Sequence, residues 1–128
     1  MISAFGICWS MLHRHLTSPY VFLWRTVEVL AIIKLARAHG YDLTEQLDLD
    51  AGCGNGIVGG VVTACIGVGI DIDPRQLGWA RRESGYQSLL RASLDAIPLR
   101  DGSQGSVLCN CVLEHIPGDA AALASLRE

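Results

Sequence analysis

Several features that would assign a function at a glance are missing from this chain of 128 residues. Its five cysteines (Cys8, Cys53, Cys65, Cys109, Cys111) are odd in number and contain no C-x-x-C pair. That pattern fits reduced, mostly buried thiols in a cytoplasmic protein better than a disulfide framework. Cys109 and Cys111 alternate on an expected strand, but no neighbouring His or Cys completes a ligand set, so no metal is expected. Basic excess is absent too: ten Lys and Arg stand against 13 Asp and Glu, for a net charge of −3. A dominant nucleic-acid footprint would need a basic patch, and none is visible. No long apolar run exists, because Arg25, Glu28 and Lys34 interrupt the stretch from Tyr20 to Ala36. A transmembrane span needs about 20 mostly apolar residues. Nor does a basic segment precede the first apolar residues, so no signal peptide is expected. With half its residues hydrophobic and 18% charged, the chain reads as globular and as one domain at most.

What is present is a glycine-rich loop in the middle. Leu47-Asp48-Leu49-Asp50-Ala51 reads as a short apolar strand, and it runs into Gly52-Cys53-Gly54-Asn55-Gly56. Glycines at alternate positions let bare backbone approach a ligand or adopt positive φ. A helix starting near Asn55 would aim its free N–H groups at the same place. The dinucleotide spacing G-x-G-x-x-G fails, because Ile57 stands where the third glycine belongs.

Downstream, Cys65 to Ile70 reads as a buried second strand ending at Asp71. Asp73-Pro74 supplies an N-cap and a Pro at N1 for a helix reaching about Ser84, stopped by Gly85. Strand, loop, helix, strand, acid and helix make a βαβα unit. Asp71 closes the second strand, where a carboxylate can accept hydrogen bonds from both hydroxyls of a ribose. Ser88 to Ala92 is read as a third strand and Val107 to Cys111 as a fourth. Asp119 is expected to cap a last helix from Ala120 onward. Before the loop, Ser18-Pro19 opens a helix of about twenty residues that Gly40 ends. Val21, Trp24, Val27, Leu30 or Ala31, Lys34 and Leu35 recur at helical spacing and are read as its packed face. Met1 to Ser18 carries a small polar cluster of His13, Arg14 and His15, read as the tail of a short helix.

Asp50-Ala51-Gly52-Cys53-Gly54-Asn55-Gly56 resembles motif I of the class I S-adenosylmethionine-dependent methyltransferases. Gly69-Ile70-Asp71-Ile72-Asp73-Pro74, the Ile97-Pro98-Leu99 turn and Val112-Leu113-Glu114-His115-Ile116 follow in the order and spacing of their type 11 group. The likeness runs from about Leu47 to Glu128. It implies a Rossmann-like open parallel sheet with flanking helices, here apparently truncated after the fourth strand. It also implies an N-terminal helical segment (1–40) ahead of a partial cofactor-binding domain (41–128).

The resemblance implies roles as well. Gly52, Gly54 and Gly56 would line the methionine and ribose portion of S-adenosylmethionine. Asp50 would sit near its ammonium, Asp71 would hold the ribose hydroxyls, and Ile72 and Leu94 would sandwich the adenine. Asn110 would face the transferred methyl, and His115 is the candidate general base. Ser93 stands where the family often has an acid, leaving Ser93 or Asp95 to reach the adenine amino group. Gln104-Gly105 replaces an aromatic anchor ahead of the fourth strand. The acceptor expected is a small molecule, lipid or glycan precursor, because no Asn/Asp-Pro-Pro-aromatic block follows that strand. A non-catalytic cofactor-binding module or an inactive fragment is the alternative. A homodimer or partner chain could complete the sheet, whose fourth strand would be left as a bare edge.

Overall fold

The computed structural model describes residues 3–15, 18–43, 45–83, 85–116 and 118. The expected helix from Ala120 lies outside them. Four parallel strands, β1 (Leu47–Ala51), β2 (Ile66–Asp71), β3 (Tyr86–Arg91) and β4 (Val107–Cys109), form one sheet in the order β3-β2-β1-β4. Around it pack α1 (Ala4–Arg14), α2 (Pro19–Ala38), α3 (Ile57–Val62) and α4 (Pro74–Ala80). This is the expected Rossmann-like arrangement of parallel strands with flanking helices. The chain order reverses between β1 and β4, and such a switch point opens a crevice at the carboxyl ends of the strands.

The apolar interior falls into clusters. Ile7 and Met11 of α1 pack with Val29 and Ile33 of α2 and Val61 and Val62 of α3. Leu49, Ala51 and Ile70 pack with Leu94, which follows β3. Leu47, Ile66 and Leu108 make a third group, which Ile32 of α2 and Val58 of α3 help to cover.

The structure corrects the expected packed face of α2. Thr26, Val29 and Ile33 are its buried residues, while Val21, Trp24, Val27 and Leu35 are exposed. Both sides of this helix are apolar, so periodicity could not tell the inward one from the outward one. Boundaries move for local reasons. β3 starts at Tyr86, two residues early, because Tyr86 pairs with Ile66. β4 ends at Cys109 because Cys111 has φ 54°, outside the strand region. α4 ends at Ala80, after which the N–H groups of Arg82 and Glu83 donate to carbonyls three residues back. That tightened winding is how helices commonly terminate.

No aromatic anchor precedes β4, and a carboxylate does the fastening instead. Asp48 Oδ2 accepts the backbone N–H groups of Gly105 (2.9 Å) and Ser106 (3.0 Å), while the Asp48 N–H donates to Ser106 Oγ (3.0 Å). Hydrogen bonds from Gly105, then Gln46, then Ser106 hold the Asp48 carboxyl below the usual carboxylate range. β4 lies at the sheet edge, with Val107 57% exposed. A groove of about 470 Å³ runs beside it, walled by Leu35, His39 and Tyr41 among others.

Candidate functional site

A second cleft, of about 540 Å³, opens at the carboxyl ends of β1, β2 and β4. Its floor is the glycine loop. Gly52, Gly54 and Gly56 all have positive φ (76°, 54° and 80°), a region where side chains with a Cβ are strained. The Gly52 and Cys53 N–H groups both donate to Ile70 O, at 2.8 and 2.9 Å, which fastens the loop to the end of β2. At Gly52 space is short as well: a Cβ there would stand 2.3 Å from a methyl of Val112. Gly54 is open, since a Cβ would meet only Gln76 Oε1, at 4.0 Å.

Asp71 braces the loop from the neighbouring strand. Its Oδ2 accepts the Gly54 N–H at 2.9 Å and its Oδ1 accepts the Asp73 N–H at 2.8 Å. Each carboxylate oxygen has a second lone pair to offer. Asp50 is the contrasting acid. It is 4% exposed, and Tyr86 OH donates to its Oδ2 at 2.6 Å. Burial pushes its carboxyl up to about 6; the Tyr86 hydrogen bond opposes the rise, and the charge of Asp71 adds to it. Gly59 makes the contact possible, because a Cβ there would lie 2.3 Å from Asp50 Oδ2.

The methyltransferase domain family matches residues 49–128, which is most of the chain. The chain belongs to that family. Its fold is that of the S-adenosylmethionine-dependent methyltransferases, as solved structures also show. One, from Thermotoga maritima, is an S-adenosylmethionine-dependent methyltransferase described as a possible histamine N-methyltransferase. It shares 20% identity at a TM-score of 0.63, over 94% of this chain and 56% of its own. Magnesium protoporphyrin IX methyltransferase from Synechocystis, with S-adenosylmethionine bound, shares 22% at 0.61, over 83% of this chain and 54% of its own. An amino pentose methyltransferase from Micromonospora echinaspora shares 21% at 0.61, over 77% and 42%. The chain thus spans about half the length of the solved structures it matches. No curated protein matches it in sequence.

Of the residues singled out in the sequence, this methyltransferase domain brings Asp50, Gly52, Gly54, Asp71, Ile72, Asn110 and His115 to the one cleft. Two lie elsewhere. Gly56 caps α3 in a left-handed conformation, where a Cβ would press on Ala80 (3.1 Å) and Tyr86 (3.0 Å). Leu94 is 8% exposed in the cluster with Ile70, and lines a separate cavity with Ile97 and Leu99. Ile72, by contrast, is 64% exposed on the cleft wall. His115 is exposed and ends a short 3-10 turn, Leu113–His115.

Other residues of the wall have no site role assigned from the sequence. His15 leaves α1 at its C-cap and reaches the cleft, and its Nε2 is buried without a partner among the described residues. Burial, then the charges of Arg25 and Arg14, hold that imidazole below its usual pKa. Arg25 of α2 pairs with Glu28 at 2.7 Å, and the Cys111 thiol donates to Glu28 Oε1 at 2.9 Å. The Arg25–Glu28 pair is the one that a spacing of three allows on a helix, whereas Cys111 reaches Glu28 from 83 residues away, beyond the reach of local spacing. Cys53 is a loop residue with an inert thiol: burial, with the charges of Asp50 and Asp71, pushes it up to about 12.

Proposed function

We propose that the cleft binds S-adenosylmethionine and that the chain is the cofactor-binding part of a methyltransferase acting on a small molecule, lipid or glycan precursor. The observation that carries the reading is the Asp71 carboxylate, fixed against the Gly54 N–H at the open end of β2 with lone pairs to spare. A cis-diol needs such an acceptor. The residues fit the rest of the group too. Gly54 leaves backbone open to close approach, Ile72 offers an apolar wall, and a cleft of this size suits a ligand of that class. In this reading Asp71 holds the ribose, Gly52 and Gly54 border the amino-acid end, and Asp50 faces the ammonium.

Bound there, S-adenosylmethionine supplies an electrophilic methyl group on a sulfonium. The chain's own contribution is orientation and exclusion of water. Asn110 and His115 line the same cleft, and in this reading they face the acceptor. His115 would take the proton of an acceptor that has to lose one.

Calorimetric titration with S-adenosylhomocysteine tests this directly. Binding is expected, with preference over NAD, and Asp71→Ala should weaken it by about 1.5–3 kcal/mol through the lost charge-assisted hydrogen bonds. Equal affinity in wild type and variant would remove the ribose assignment. A preference for NAD would remove the cofactor.

A further inference from the structure

We propose that the outward face of α1 and α2 docks the protein on an anionic lipid bilayer, lying along its surface. The case begins with the two-sided character of α2. Thr26, Val29 and Ile33 go into the core. On the other side Tyr20, Leu23, Trp24 and Val27 recur at i, i+3, i+4 and i+7, and Leu35, eight residues beyond Val27, continues the same face. They are 78, 59, 57, 64 and 63% exposed. From Tyr20 to Leu35 this stripe runs about 22 Å along the helix. An exposed apolar surface of that extent marks a contact. α1 adds Phe5, 77% exposed, and Trp9, 55% exposed, with their rings stacked.

Charge identifies the occupant. Residues 1–40 hold four Lys and Arg against one acid, whereas residues 41–128 hold six against twelve. Arg14 is paired with Glu83 and Arg25 with Glu28, so Lys34 and Arg37 carry the charge of this face. That one acid, Glu28, is turned into its pair with Arg25 and its side chain is 12% exposed. The charge interrupting the stripe is Lys34, and Arg37 follows in the last turn. Aromatic and aliphatic side chains with only cations among them suit a surface that is apolar inside and negatively charged at its headgroups. A second copy of the chain is the poorer complement, because pairing stripe to stripe would bring two cationic segments together. Crossing the membrane is not what the helices are built for: among the described residues none is long and apolar enough. α2 also lends Val21 and Arg25 to the cleft wall, so a docked helix would hold the cleft close to the headgroups.

Co-sedimentation of the full chain with vesicles is the test, using equimolar phosphatidylcholine and phosphatidylglycerol against phosphatidylcholine alone. Sedimentation is expected with the mixed vesicles only, weakened by salt and accompanied by a blue shift in tryptophan emission. Lys34→Glu/Arg37→Glu should reduce binding about tenfold or more. Val27→Glu/Leu35→Glu should abolish it without moving the thermal melt, since both positions are exposed. Absence of sedimentation with the anionic vesicles would overturn the proposal, as would sedimentation that neither variant reduces. So would a wild-type dimer in light scattering that Val27→Glu/Leu35→Glu splits, because the stripe would then belong to a second copy.

Discussion

The two walls of the cleft are built by different means. On the β1–β2 side the geometry is set by backbone: two left-handed glycines, Gly52 and Gly54, two N–H groups on Ile70 O, and the Gly54 N–H on Asp71. On the β4–α2 side it is set by side chains, with Cys111, Glu28 and Arg25 linked at the surface and His115 exposed on a 3-10 turn. A backbone-built wall tolerates little change and suits a part of the ligand that never varies. A side-chain wall can be rewritten one residue at a time, as an acceptor site must be when acceptors differ.

The comparison breaks most visibly at Gly52. An alanine there keeps φ near 76°, at a cost of about 1–2 kcal/mol. Its methyl also stands within 2.3 Å of Val112, an overpacking worth about 1–3 kcal/mol. Gly52→Ala should therefore lose roughly 2–5 kcal/mol in denaturant unfolding. Gly52→Ala/Val112→Ala should recover the steric part and keep the φ penalty. A Gly52→Ala protein as stable as wild type would mean the loop yields easily, and the two walls would then be alike.

Asp50 sharpens the contrast through pH. Its folded pKa, about 6, lies above the ordinary 3.8, so the protonated form is favoured in the fold. Its contribution to stability is complete below about pH 4 and is lost as pH rises through 6, on the order of 3 kcal/mol in all. Asp50→Asn should flatten that slope in urea unfolding while leaving a partner for Tyr86. Cofactor binding should run the other way. A cation beside Asp50 favours its ionised form, so affinity for S-adenosylhomocysteine should rise with pH through 6 in wild type and not in Asp50→Asn. His15 titrates in both proteins, so the difference between them belongs to Asp50. Equal pH profiles would place the ammonium away from Asp50.

The same division governs what could be read from the chain. The glycine loop, Asp71 and the Asp73-Pro74 cap announce themselves locally, because they encode backbone conformation within a few residues of each other. From them the parallel sheet and the place of the cleft follow; Asp50, Ile72, Asn110 and His115 are named through the family resemblance, and they line that cleft. The Arg25–Glu28 pair is local and legible at a spacing of three, but the approach of Cys111 to Glu28 and of His15 to the cleft depends on where α1 and α2 settle, which no spacing records. The packed face of α2 was misjudged for a related reason. Trp24 and Val27 are as apolar as Val29 and Ile33, and only the position of α3 decides which pair is covered. Leu94 came out in the core because the chain after β3 turns its side chain under Ile70.

The smallest effect is expected on the side-chain wall. Glu28→Gln removes a carboxylate that pairs with Arg25, whose side chain is 35% exposed. Solvent screening keeps such a loss below about 1 kcal/mol. Chemistry there should respond more than stability does. The hydrogen bond to Glu28 is the main reason the Cys111 thiol sits above its ordinary pKa. Without that carboxylate, and with Arg25 3.8 Å from the sulfur, the thiolate is favoured and nucleophilic attack quickens. Iodoacetamide labelling of Cys111, followed by peptide mass spectrometry, should be several-fold faster in Glu28→Gln. Cys53, buried with its thiol near 12, serves as the unreactive internal standard. Affinity for S-adenosylhomocysteine should stay within about twofold, because none of these groups belongs to the backbone-built wall. A large loss of affinity in Glu28→Gln would show that the two walls act on the cofactor together, and the division of labour between them would have to be given up.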